Sequence, residues 1–140
     1  MQEFGLYNWR GGGGSMWFSP VSQARGSETL KQMGLAKRVL DKYAIDYVGL
    51  FVIGWRDMHH IIDILYDRSQ PEEMTKAHRC YDELLDDFAR EGYGVYRTNI
   101  DFMSKVANLY GPVKAKVNRR IKQALDPNGI LAPGKSGIGG

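Results

Sequence analysis

Sulfur chemistry is almost missing from this sequence: Cys80 is its one cysteine among 140 residues, which excludes an intrachain disulfide and a cysteine-rich metal site. Cys80 itself is expected on a helix, packed as a small apolar group. No apolar run approaches the ~20 residues that a membrane-crossing helix needs. The start, Met1 to Phe4, has neither the basic opening nor the apolar stretch of a secretory signal. An excess of one charge is also lacking, since 19 Lys and Arg stand against 16 Asp and Glu, a net +3. So small an excess, without interleaved aromatics, does not describe a nucleic-acid groove. The one basic cluster is Lys114, Lys116, Arg119, Arg120 and Lys122, spaced to place several cations on one solvated helical face.

What remains is enough for a single folded core: 43% of the residues are hydrophobic and 25% charged. Residues 1–14 read as a loop closed by the run Gly11 to Gly14. Ser15 to Val21 reads as a strand ending near Pro20. From Ser27 to Tyr43 the period is helical, with Leu30, Met33, Ala36, Leu40 and Tyr43 on one face and Ser27 placed to cap the start. Tyr47 to Ile53 and Met58 to Tyr66 are β-branched and aromatic runs, joined as a hairpin by Gly54 to Asp57. A second helix starts at Pro71, where Glu72 and Glu73 suit the positive end of the helix dipole, and stops at Gly92. Its expected inner face is Met74, Ala77, Tyr81, Leu84, Leu85 and Phe88. Tyr93 to Arg97 reads as extended, and helices follow over 100–109 and 112–125. The order β-α-β-β-α-β predicts an α+β fold, an antiparallel sheet with helices on one face.

Three features invite a chemical reading. The glycine run precedes a strand and is followed by no Gly-Lys-Ser/Thr, so it is not a phosphate cradle. His59 and His60 are adjacent on a strand and point to opposite faces, which argues against a shared metal; His59 is better read as a hydrogen-bonded imidazole at a pocket edge. Tyr96-Arg97 joins a hydroxyl donor to a permanent cation and would suit a phenolate or a flavin carbonyl edge. An ordinary strand end, with Arg97 solvated and Tyr96 packed beneath it, remains the competing reading.

Longer motifs settle more. The segment Gly5 to Val21 with its four glycines, Arg56-Asp57-Met58-His59-His60, Gly92 to Asn99, and Asp126 to Gly137 together resemble the vanillyl-alcohol oxidase family of FAD-linked oxidases, in its cresol-dehydrogenase branch. The closing motif is shared widely among FAD-linked oxidases, whereas the glycine run and Gly92-Tyr93-Gly94-Val95-Tyr96-Arg97 are narrower. The resemblance covers residues 1–140 as a ferredoxin-like C-terminal cap domain plus tail, without the family's FAD-binding domain. It implies a 4-alkylphenol substrate oxidised at the benzylic carbon, with FAD bonded covalently through Tyr7. By the same resemblance Tyr96 meets the phenol oxygen, and Arg97 stands near the flavin. Glu3 and His59 handle the proton of an attacking water, and Lys135 lies near the phenol-binding end in place of an arginine. Leu50 departs from the branch, which has a glutamate there, and Ser15 stands where vanillyl-alcohol oxidase carries its flavin-linking histidine. Partners implied are a c-type cytochrome subunit and a second flavoprotein copy, in the periplasm, with a cytoplasmic location as the alternative. The chain alone is expected to be inactive. A free-standing ferredoxin-like binding module is the competing class.

Overall fold

The computed structural model describes residues 9–135 and 138. The chain divides into two compact units, Met1–Tyr96 and Arg97–Gly140.

In the first unit a short 3-10 turn, Trp9–Gly11, leads into strand β1 (Gly13–Phe18), followed by β2 (Pro20–Ser22), helix α1 (Gly26–Lys42), β3 (Val48–Ile53), β4 (Met58–Asp67), helix α2 (Pro71–Arg90) and β5 (Gly94–Val95). The sheet is antiparallel throughout and centred on β4. β3 pairs one edge of β4, β1 and β2 pair the other end to end, and β5 adds to β2. This is the expected split β-α-β-β-α-β arrangement, the break at Ser19 aside.

The core forms where both helices cover one face of the sheet. Met16 and Phe18 of β1 and Met58, His60, Ile62 and Ile64 of β4 alternate inward, as strand periodicity requires. Phe18 sits edge-on to Tyr81 (5.6 Å) and Phe88 (5.0 Å) of α2. Cys80 lies buried beside them as expected, and burial pushes its thiol up to about 12. Across the helix pair, Lys42 Nζ (2.7 Å) and the Tyr43 hydroxyl (2.8 Å) donate to Glu83 Oε2, while Lys31 pairs with Glu91 at 2.9 Å.

Several local expectations are corrected. Gly13 and Gly14 belong to β1 and not to a loop, because a side chain at Gly14 would collide with Tyr66: its Cβ would lie 2.5 Å from Tyr66 Cζ. Ser27 does not cap α1; the cap position is Arg25, and Ser27 already lies inside the helix. The inner face of α1 is Gln32, Leu35, Ala36, Val39 and Leu40, leaving Leu30 exposed, since at about 100° per residue it falls nearly opposite the centre of that face. Met74 is likewise exposed on the first turn of α2, where Cys80 joins the inner face instead. The strand expected over 93–97 pairs only at Gly94–Val95, because β2 offers it just Pro20 and Val21 as partners.

The second unit begins with a 3-10 turn, Ile100–Phe102, where the expected helix over 100–109 starts only at Met103. Asn99 Oδ1 accepts from Phe102 N at 3.2 Å and tightens that first turn. Helix α3 (Met103–Leu109) gives way to helix α4 (Gly111–Leu125) at Gly111, whose φ of +83° breaks the run of helical backbone between them. On α4, Lys114, Lys116, Arg119 and Arg120 are exposed, as is the apolar row Val113, Val117, Ile121 and Leu125. Past the helix, Asp126 accepts from Ile130 N (3.0 Å), Leu131 N (2.9 Å) and Lys122 Nζ, which holds its carboxyl below the usual carboxylate range.

Candidate functional site

One face of the sheet carries the helices; the other is open, and it carries the candidate residue His59. Because pairing partners share a face, the register defines its rows. The first is Val48, Asp63 and Trp17; the second is Leu50 with Ile61; the third is Val52, His59 and Val21. Trp17, Leu50 and Val52 are 48%, 54% and 48% exposed, so this face presents aromatic and aliphatic surface.

His59 is the polar centre of the third row. Its Nε2 pairs with Asp57 Oδ2 at 3.0 Å, which orients the ring and leaves Nδ1 as the second proton-exchanging atom. The Tyr96 ring stands edge-on to it at 4.7 Å, and Tyr96 N donates to the carbonyl of Ser19 at 3.3 Å. Backbone pairing therefore fixes the tyrosine at the rim of the face. Next to the first row, the Ser15 hydroxyl donates to Asp63 Oδ1 at 2.5 Å.

His60 points the other way, as the strand alternation predicts. It is fully buried, stacked on Phe51 (4.1 Å between ring centroids), and its Nε2 shares a 2.8 Å hydrogen bond with the Tyr47 hydroxyl. Burial lowers its pKa from 6.5 to about 4, so it is a neutral core residue. A shallow cleft of about 400 Å³ between Tyr43, Pro71, Glu72, Thr75, Lys76 and Arg79 lies on the helical side, its lining including one acid and two cations.

Of the residues expected at a site, the first unit brings His59 and Tyr96 into contact. Arg97, next in the chain, and Lys135 belong to the second unit and are exposed. Glu3 and Tyr7 lie outside the described residues. Sequence reading passed over Asp57, although an acid two positions before His59 shares its side of the strand. It passed over Asp63 too, whose signal is an acid interrupting the aliphatic run from Ile61 to Leu65.

Along 138 residues the chain is 64% identical to the 4-cresol dehydrogenase [hydroxylating] flavoprotein subunit of Pseudomonas putida, covering 99% of this chain and 26% of that protein. It is 32% identical to a 1'-carboxy-chondrochloren decarboxylase of Chondromyces crocatus, over 87% of this chain and 23% of that one. Among solved structures, p-cresol methylhydroxylase with substrate bound superposes with a TM-score of 0.91 at 64% identity, over 99% of this chain and 27% of the other. The 4-ethylphenol oxidase of Gulosibacter chungangensis, in its isoeugenol complex, gives 0.89 at 40% identity, over 95% and 26%. The chain thus spans about a quarter of the length of these relatives. Residues 26–136 match the family model described as FAD linked oxidases, C-terminal domain, and the chain belongs to that family.

Proposed function

We propose that the chain works as the substrate-facing C-terminal portion of a flavoprotein that oxidises 4-alkylphenols at the benzylic carbon. The observation that carries this reading is the His59–Tyr96 pair at the edge of an open, largely apolar sheet face. A flat aromatic ligand and a planar cofactor ring both fit such a face, since Trp17, Leu50 and Val52 offer it exposed apolar surface. The relatives named for 4-cresol and 4-ethylphenol oxidation supply the substrate class.

FAD, when bound, supplies the hydride acceptor; Tyr7 would hold it covalently, and Arg97 would place a fixed cation beside it. The chain's own residues prepare and complete the reaction. The Tyr96 hydroxyl donates to the phenol oxygen and favours the phenolate, which drives electron density toward the para carbon. After the benzylic carbon has lost hydride, the substrate is a quinone methide. The oxygen of a water molecule bonds to that carbon, and the water proton passes to His59 Nδ1, with Asp57 stabilising the imidazolium and Glu3 assisting. The phenol oxygen regains its proton and the product is a benzylic alcohol. Lys135 is assigned to the phenol end of the site.

A relative of this chain is one subunit of a larger enzyme, and a partner subunit belongs to the proposal. The partners proposed are a c-type cytochrome that takes the electrons and a second flavoprotein copy, in the periplasm. Anaerobic mixing of the full-length flavoprotein with 4-cresol or 4-ethylphenol tests the reading. Bleaching of the flavin absorbance is expected, slowed in Tyr96→Phe; an unreduced flavin with both phenols would refute it.

A further inference from the structure

Strand β3 turns Val48, Leu50 and Val52 to the open face, exposed at 38%, 54% and 48%, with no polar side chain between them on that face. A solvent-facing side of an antiparallel strand ordinarily carries polar residues. An aliphatic row left open in this way is surface held for contact. Its position identifies the contact. Val52 is the cross-strand partner of His59, and Leu50 pairs with Ile61, the next residue on the same face of β4. Leu50 is therefore the diagonal neighbour of His59, within reach of a molecule lying beside the imidazole.

Successive rows of one face lie about 7 Å apart along the strands. A methyl group presented to His59 ends before the Leu50–Ile61 row. Each further carbon extends the substituent toward the side chains of that row and exchanges water for aliphatic contact. Resting on the function proposed above, we infer that Leu50, with Val48, Val52 and Ile61, forms an alkyl-binding strip that selects 4-alkylphenols whose para substituent is longer than methyl.

The test uses the full-length flavoprotein and a ladder of 4-methyl-, 4-ethyl- and 4-n-propylphenol. The value of kcat/KM is expected to rise along the ladder, roughly 10-fold per methylene. Leu50→Glu, which sets a charge in the strip, is expected to flatten or reverse that slope. Leu50→Ser is a milder replacement with the same expected direction, and the outward position of Leu50 leaves the core untouched by either. Binding gives a readout independent of turnover. Phenol and 4-tert-butylphenol have no benzylic hydrogen and are not consumed, so calorimetry reads their dissociation constants directly. The wild-type protein is expected to prefer the tert-butyl compound by about 10-fold or more, and both variants to lose most of that preference. A wild-type ladder that is flat or falls while the flavin is still reduced would overturn the strip alone. So would variants that keep both the slope and the binding ratio. A flavin that no alkylphenol reduces would overturn the strip together with the reading on which it rests.

Discussion

Acid should loosen the core through one residue. His60 is fully buried against Phe51 and Tyr47, and its Nδ1 has no hydrogen-bond partner. Protonation would place an unpaired charge between sheet and helices, and that cost is why its pKa falls from 6.5 to about 4. The sign follows from linkage. As pH drops below 6.5 the unfolded chain takes up a proton on this imidazole, while the folded chain resists until about 4, so stability is lost across that window. The gap between 6.5 and about 4 sets a ceiling of about 3 kcal/mol. By pH 5, about 2 kcal/mol of it should be gone. Urea unfolding of the 140-residue chain between about pH 7 and pH 5, followed by far-UV dichroism, measures the loss. The comparison is with His60→Leu, which keeps a comparable volume and cannot titrate. Its absolute stability is beside the point; its stability should change less over the same interval, by about 2 kcal/mol. Parallel decline of wild type and variant would refute the reasoning, because the other titrating groups are common to both.

Other consequences can be checked singly. Tyr96→Phe in the flavoprotein should lower kcat/KM roughly 10- to 100-fold by removing a hydrogen bond to an anionic oxygen, and an unchanged value would remove Tyr96 from the site. The Cys80 thiol should resist a thiol reagent in the native chain and react only once urea unfolds it, since burial both covers it and holds it protonated. Gly92→Ala should cost about 1–2 kcal/mol in thermal or urea unfolding. The cost is conformational, because Gly92 has φ +84° and no neighbour within 4 Å that a methyl group would touch. Asp126→Ala should accelerate hydrogen exchange at the Ile130 and Leu131 amides, which lose their acceptor, with little change at the amides of β4.

Much of the fold was legible because its signals are local. The β-branched runs over 47–53 and 58–66, the proline and acids at 71–73, and the glycine at 92 each mark an element start or end, and the structure moves those ends by two residues at most. Errors arose where tertiary packing chooses between local options. Met74 has roughly the right helical phase but sits on the first turn of α2, whereas Leu30 falls on the side of α1 opposite its buried face. Gln32 is buried although its polarity argued for solvent. Gly13 and Gly14 read as loop because nothing in the sequence shows that Tyr66 needs their space. For the site, His59 and Tyr96 could be nominated, yet their contact depends on β5 joining β2 across more than seventy residues of chain, a pairing that spacing does not reveal. Asp57 and Asp63 escaped because each acquires its meaning from a neighbour, His59 in one case and Ser15 in the other.

The break at Ser19 has an evolutionary side. β1 and β2 keep one continuous register along β4 on both sides of it, and the freed Ser19 carbonyl accepts the amide of Tyr96. The placement of Tyr96 is thus written in main-chain atoms, which substitution leaves alone. Exposed side chains of the open face, such as Trp17, Leu50 and Val52, lie outside the core, so they can be exchanged without repacking it. Such a chassis permits catalytic repertoires to diverge while the scaffold stands still. Relatives described as a cresol dehydrogenase and an ethylphenol oxidase, superposing or aligning over nearly the whole chain, have the character that this freedom would produce.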